Sequence, residues 1–161
     1  YGNVVHRVLT FLQRNFAGKV PEPGRLGPAD ETMFARLQRG LDATAAAIEA
    51  VHLRDGLSEA MAVAHAANRY LDEQAPWKRI KTDRQAASTT IYVMVQVLNG
   101  LKILFAPYVP YSSQRLHQLL GYSGDVAQAR WQAERIAPDT ALPPPTPLFT
   151  KFDAPLAQGS Y

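Results

Sequence analysis

The sequence contains no cysteine, which excludes disulfide bonds and thiolate metal sites. It also lacks a strong excess of one charge. The formal net charge is only +3 over 161 residues, so nucleic-acid binding would require local clustering of the cations. Long uninterrupted apolar runs are absent as well. The longest, 91–109, is broken by Gln96, Asn99 and Lys102, and it therefore predicts a core helix rather than a membrane span, with no membrane as partner.

Patterns that carry catalytic chemistry are missing too. The sequence has no glycine-rich phosphate loop and no nucleophile–histidine–carboxylate order. Asp72 and Glu73 are adjacent, so they point to different sides of a helix and make a poor acid–base pair. The histidines are scattered without the spacing of metal ligands: His6, His52, His65 and His117. We therefore expect no catalytic residue, no metal site and no cofactor site in this chain.

The composition is that of one globular domain, with 47% hydrophobic and 19% charged residues. The first residue is Tyr1, and neither a charged segment nor an apolar signal segment follows it. We therefore expect the chain to be part of a longer protein. The absence of cysteine and the wealth of alanine and arginine favour a cytoplasmic location.

Apolar residues recur at helical spacing along most of the chain, and prolines and glycines separate the periodic stretches. Pro28 is suited to a first helical turn, and Thr82 or Asp83 is suited to capping a helix. The sequence predicts an all-α fold, an antiparallel bundle of four to five helices. The expected helices are 2–16, 28–51, 55–75, 82–105 and 110–120.

The last part of the chain differs in composition. A short further helix is predicted at 126–136, and from 138 onward repeated prolines exclude helix and favour extended backbone. We therefore predict a helical bundle over 1–137 and a Pro-rich extended tail over 138–161. This tail is either a strap over the bundle or a linker to something outside it.

The corner at Pro76 and Trp77 is the most informative local feature. Pro76 should stop the preceding helix near Ala75, and Trp77 then follows a helix end with Asp72 about one turn back. Three basic residues follow within four positions: Lys78, Arg79 and Lys81. An aromatic ring among cations at a rigid corner suits stacking on an unpaired base. The alternative interpretation is a tryptophan buried in the core.

A polar stripe lies on the first predicted helix. Its members are spaced at i, i+4, i+7 and i+11, which places them on one face: Asn3, Arg7, Thr10 and Arg14. Taken alone, this stripe is compatible with an ordinary solvated face. If the first helix lies beside the end of the third, however, a cationic ridge borders the Trp77 corner, which would suit a splayed single-stranded loop.

Several segments resemble one family. Residues 2–8 (GNVVHRV) resemble the LGNLxxRV segment that opens the anticodon-binding domain of methionyl-tRNA synthetases. Residues 67–78 (ANRYLDEQAPWK) resemble the NxYxxxxxPWK motif of the same family, which is the more specific of the two. Residues 104–110 and 147–153 are similar to its later LxPxxP turn and PLFxKID end. The resemblance covers the chain from 2 to 153.

This resemblance implies a helical domain that reads the CAU anticodon of methionine tRNA. Members of the family attach methionine to the tRNA in an ATP-dependent, two-step reaction. Their nucleotide-binding HIGH and KMSKS signatures are missing from this chain. ATP and methionine are therefore expected to bind a catalytic domain in another part of the parent chain. The expected partners of the present domain are thus the anticodon loop of the tRNA and that catalytic domain.

Residue roles follow from the same resemblance. Trp77 would support the first anticodon base, and Asp72 would contribute near that base. By alignment, Thr10 and Arg14 take the places of an asparagine and a basic residue that some members use. Thr10 departs from the family pattern, whereas Arg14 keeps the cation. Arg7 joins the predicted site through the helix-one stripe, and structural or supporting roles are expected for Asn3, Asn68, Pro76 and Lys78.

Two other functions remain open at this point. The same bundle occurs in related class I synthetases, for which a different anticodon would be preferred. A helical docking module without an RNA role would bury Trp77 and would show little salt dependence in any binding.

Overall fold

The computed structural model describes residues 1–148, and it confirms the all-α class. The helices are α1 (Gly2–Asn15), α2 (Pro28–Glu49), α3 (Leu53–Gln74), α4 (Pro76–Arg79), α5 (Arg84–Phe105) and α6 (Pro110–Leu119). A 3-10 turn follows at Val126–Gln128. Within this part of the chain, β-pairing is limited to one isolated bridge between Lys19 and Ala141.

Helix α5 forms the centre of the molecule, and every residue from 93 to 105 is buried. Among the described helices it is the one whose length and composition would allow a membrane crossing, but 94% of its apolar window is buried by the rest of the fold. It is therefore the core helix that the sequence predicts. Tyr1 stacks on Phe105 with ring centroids 4.4 Å apart, and Arg84 donates to the carbonyl of Asn15, so α1 and α5 run antiparallel.

The polar residues of α5 hold the segment that follows α6. Gln96 donates to the carbonyl of Ile136 at 2.9 Å and accepts from its N–H at 2.6 Å, while the Asn99 amide donates to the carbonyl of Glu134 at 2.8 Å. The prediction of a helix over 126–136 is wrong, because only Val126–Gln128 forms a helical turn. Backbone groups of Glu134 and Ile136 bond to side chains of α5 instead of forming helical bonds.

The first part of the Pro-rich segment contacts the loop after α1. The N–H of Val20 donates to the carbonyl of Thr140 at 2.9 Å, and the N–H of Leu142 donates to the carbonyl of Gly18 at 2.8 Å. Leu142 is itself buried. These bonds fix 139–142 beside the bundle. The end of the predicted tail, including 149–153 of the PLFxKID resemblance, lies outside the described residues.

A sharp corner separates α3 from α4. The helix stop predicted at Ala75 is confirmed: this residue adopts a left-handed conformation (φ 43°, ψ 63°) that ends α3. The helical turn after it was not predicted. Because a proline lacks an N–H and its φ is already helical, Pro76 begins α4 as its first residue. The new direction of α4 leaves Trp77 on its surface.

The position of α3 is set by close packing on α2. A Cβ atom on Gly40 of α2 would lie 2.3 Å from Cγ2 of Val63, so the two helices approach more closely than larger residues allow. Near the other end of α3, the buried hydroxyl of Tyr70 donates to the carboxylate of Asp30. The second oxygen of Asp30 accepts from the N–H of Gly27 and so caps α2. The end of α3 is thereby anchored to the first turn of α2.

Candidate functional site

A groove with a volume of about 550 Å³ runs between α1 and the α3–α4 corner. Its floor is apolar and consists of Val8, Leu71, Pro76, Ile80 and Ile91. Its polar and aromatic walls include Arg7, Thr10, Arg14 and Trp77. The fold thus brings the helix-one stripe and the Trp77 corner to one surface. We call this surface the Trp77 groove.

Arg7 connects the elements that form the Trp77 groove. Its Nη2 lies 2.8 Å from Oδ1 of Asp72, and the side chains of the two residues are 32% and 61% exposed. Its guanidinium carbon also lies 4.9 Å from the centroid of the Trp77 ring. One cation from α1 therefore pairs with an acid on α3 and covers an aromatic ring on α4.

Trp77 lies at the surface, with 41% of its area exposed. It occupies the first turn of α4, directly after the buried Pro76. The alternative interpretation of Trp77 as a buried core residue is therefore wrong. An indole ring that is anchored at its base and open to solvent has a face available for stacking.

Thr10 and Arg14 differ in their access from the groove. The Oγ1 atom of Thr10 is inaccessible to solvent, and no group among the described residues forms a hydrogen bond with it. Arg14 is exposed, and in the same part of the chain it has no acidic partner within 4 Å. A ligand in the groove would therefore meet the guanidinium of Arg14, which donates hydrogen bonds, but would not reach the Thr10 hydroxyl.

The supporting residues have different positions. Pro76 belongs to the floor of the groove, as expected for a supporting residue. Asn3 is exposed in the first turn of α1 and Asn68 is half-buried in α3, but neither lines the groove. Lys78 is exposed on α4 next to Trp77 and does not line the groove either. The predicted stripe therefore divides, and its first residue stays outside the site.

Sequence reasoning missed part of the groove. Phe11 and Asn15 also line it, as does Ile80 of the floor. None of these three residues belonged to the predicted site. The available signal was spacing, because Phe11 follows Arg7 by four residues and so shares its helix face.

The lining of the groove is suited to binding. Over residues 1–148, no three histidine, aspartate or glutamate side chains are placed to hold a metal ion. The ionisable residues that line the groove are His6, Arg7 and Arg14, and Asp72 beside it is paired to Arg7. An apolar floor, an aromatic plane and cationic walls together favour a ligand with flat rings and negative charge.

Comparisons with known proteins agree with this geometry. Residues 20–156 match the family model described as the anticodon binding domain of methionyl tRNA ligase. The matched region contains α3, α4 and Trp77 and begins after α1. It favours this family over a bundle from another class I synthetase and over a docking module.

Individual relatives carry the same name. The sequence is 41% identical to methionine–tRNA ligase from Roseiflexus castenholzii, and the aligned region covers 95% of this chain and 30% of the relative. With the enzyme from Chloroflexus aurantiacus the identity is 39% over the same shares. The crystal structure of methionyl-tRNA synthetase from Mycobacterium tuberculosis bound by methionyl-adenylate superposes with a TM-score of 0.86 and 29% identity, covering 92% of this chain and 30% of that chain.

The chain thus spans about 30% of the length of these relatives. The family match covers far more than half of the 161 residues, and the similarity extends over almost the whole chain. This chain belongs to the family of anticodon-binding domains of methionyl-tRNA ligases.

Proposed function

We propose that this chain reads the CAU anticodon of methionine tRNA as one domain of a methionine–tRNA ligase. The parent protein would attach methionine to the tRNA with ATP, and both small molecules would bind a catalytic domain outside this chain. The proposal is supported by the relatives, which are methionine–tRNA ligases and of whose length this chain covers about 30%. A chain without cysteine suits the cytoplasm, where we place the parent protein.

The observation that carries the proposal is the exposed indole of Trp77 above an apolar groove with cationic walls. A base that is splayed out of a loop loses its stacking partners, and an indole plane replaces them. Arg14 would meet a phosphate or a base edge, because a guanidinium binds either. The groove thus offers a separate contact for each part of an unpaired nucleotide.

Asp72 gives a reason for preferring cytosine as the first base. Its Oδ1 accepts from Arg7, which leaves Oδ2 as a further acceptor. A carboxylate accepts well from the exocyclic amino group of cytosine, which uracil lacks. In this arrangement Arg7 orients Asp72 and supports the Trp77 ring at once.

The test is a comparison of RNA hairpins that differ in one base. A hairpin with a CAU loop should bind more tightly than hairpins whose first loop base is changed, by about 5- to 150-fold for one base contact of ~1–3 kcal/mol. Affinity should also fall steeply as salt is raised. Equal affinity for all loops, with little effect of salt, would exclude anticodon reading and favour protein docking.

Arg14→Ala should weaken every hairpin to a similar degree if Arg14 contacts a phosphate, because such a contact carries no sequence information. A loss confined to hairpins with one particular loop base would mean a contact to a base edge instead. The slope of log affinity against log salt should decrease by about 1. Since Arg14 is exposed and has no acidic partner in the described part of the chain, the melting temperature should not change. Arg54→Ala, at an exposed cation in the first turn of α3, is the matched control. Unchanged affinity of the Arg14 variant would remove this residue from the site.

A further inference from the structure

A second depression adjoins the Trp77 groove beyond Arg14. This depression has a volume of about 600 Å³ and lies between the end of α1 and the start of α5. Asn15 lines both cavities, so the two are neighbours at this residue. Phe16, Lys19 and Arg84 contribute to the second one. None of these side chains has a role in the function proposed above.

Arg84 and Phe16 repeat the arrangement of Arg7 and Trp77. The guanidinium carbon of Arg84 lies 4.9 Å from the centroid of the Phe16 ring, and its Nη2 donates to the carbonyl of Asn15 at 2.7 Å. At both places an arginine is fixed by an acceptor while its plane covers an aromatic ring. Such a pair is a preorganised surface for a base, because both the ring and the guanidinium stack on nucleobases.

Aromatic side chains also connect the two places. The ring centroids of Phe11 and Phe16 are 6.2 Å apart, and Phe11 lines the Trp77 groove. Arg7 and Phe16 are nine residues apart on or beside α1, which corresponds to about 13 Å at ~1.5 Å per residue. A strand stacked at about 3.4 Å per nucleotide covers this distance in about four nucleotides. A single loop can therefore contact both places.

The charges along this path do not repel RNA. Arg14 and Arg84 have no acidic partner within 4 Å in the described part of the chain. Lys19 lies 4.0 Å from Asp139, which neutralises that acid. Glu22 is the remaining acid of the second depression. The path from Trp77 to Phe16 thus keeps an excess of cations, as a bound phosphate backbone requires.

We propose that Phe16 and Arg84 form a second platform that stacks a further unpaired base of the RNA loop whose first base is held by Trp77. This inference rests on the proposed function, because it concerns the same RNA. It predicts that two separate bases of the loop contribute to affinity through stacking. Each of these bases depends on a different aromatic residue.

The experiment uses the full 161-residue chain and hairpins in which one loop nucleotide at a time is abasic. Removal of a base should weaken binding at two loop positions. Phe16→Leu keeps the apolar volume but loses the ring, and it should weaken the intact CAU hairpin by about fivefold or more. In the Phe16→Leu variant, removal of the base at one of these two positions should no longer weaken binding. In a Trp77→Ala variant, the same should hold for the other position.

Phe34→Leu is the matched control. Phe34 also has an arginine over its ring, Arg135 at 3.8 Å, but it lines a cavity with Gln96 and Ala133 that is separate from the groove. Its replacement should leave every affinity unchanged. Should Phe16→Leu melt the fold, Arg84→Gln decides the question, because it keeps a donor for Asn15 but loses the charge and the guanidinium plane. In the Arg84→Gln variant, as in Phe16→Leu, removal of the base at that loop position should no longer weaken binding.

The outcomes separate the two proposals. The second platform is wrong if the folded Phe16 or Arg84 variant binds every hairpin as the original chain does. Anticodon reading still stands in that case, provided that one abasic position no longer weakens binding once Trp77 is replaced by alanine. If no abasic position depends on Trp77 either, the proposed function itself fails.

Discussion

Trp77→Ala should weaken binding of a CAU hairpin by about 5- to 150-fold, because one base–aromatic stack contributes ~1–3 kcal/mol. The ring is 41% exposed, and its guanidinium neighbour Arg7 keeps a second partner in Asp72. Loss of the indole therefore removes a binding surface and only a small part of the packing. Titration of labelled hairpins with wild type and variant at one fixed salt concentration measures the effect.

The controls use the other aromatic residues. Trp77→Phe keeps a ring and should recover most of the lost affinity, which a merely structural role would not explain. Trp131→Phe tests the second tryptophan, whose Nε1 donates to the carbonyl of Leu41 outside the groove. It should not change RNA affinity. If Trp77→Ala unfolds the chain, or binds the hairpin as wild type does, Trp77 is not a base platform.

The helices were predictable because strong local signals mark their ends. Pro28 begins α2 as expected, and Asp83 caps α5 by accepting from the N–H of Ala86. Helix α5 ends at Phe105, as predicted from the proline that follows. These signals act within one turn, and a sequence therefore carries them without knowledge of the fold.

Two local errors have different causes. Pro76 was interpreted only as the end of α3, although a proline also suits the first turn of the next helix. The helix predicted at 126–136 fails because Gln96 and Asn99, more than 30 residues away in sequence, take over backbone groups of that segment. Competition between local and distant hydrogen-bond partners is decided by packing, and no short-range pattern reports it.

The sequence predicted which residues form the site better than it predicted the contacts between them. Spacing alone placed Arg7, Thr10 and Arg14 on one helix face, and all three line the groove. The ion pair between Arg7 and Asp72 joins residues 65 positions apart, and it depends on how α1 packs beside α3. Asn3 follows the same spacing but lies outside the groove, because the groove does not extend to the first turn of α1.

Lys102 carries the second large effect, which concerns stability. Lys102 lies in the last turn of α5, and only 2% of this residue is exposed. Its side chain lines a cavity of about 270 Å³ next to the segment that follows α6. Burial lowers the pKa of Lys102 from the ordinary value of 10.5 to about 8, against the opposing charge of Glu134. At neutral pH the folded chain therefore carries a charge that its surroundings disfavour.

Lys102→Met should stabilise the chain at pH 7 by at most about 3 kcal/mol, which corresponds to the lowered pKa. The ring of Tyr122, 3.6 Å from Nζ, favours the charged lysine and offsets part of this gain. Below pH 8 the lysine is protonated in both the folded and the unfolded state, so the full gain is present. Between pH 8 and 10.5 only the unfolded state still binds the proton, so the free energy of unfolding of wild type rises with pH. The difference in stability between the two proteins therefore becomes smaller over this range.

Urea unfolding of both proteins from pH 7 to pH 10 measures this difference directly. Lys81→Met, at an exposed lysine between α4 and α5, should show no such difference at any pH. If Lys102→Met is less stable than wild type at pH 7, the attraction of the cation to Tyr122 outweighs the cost of its burial. A difference that persists unchanged to pH 10 would mean that the lysine stays charged in the fold.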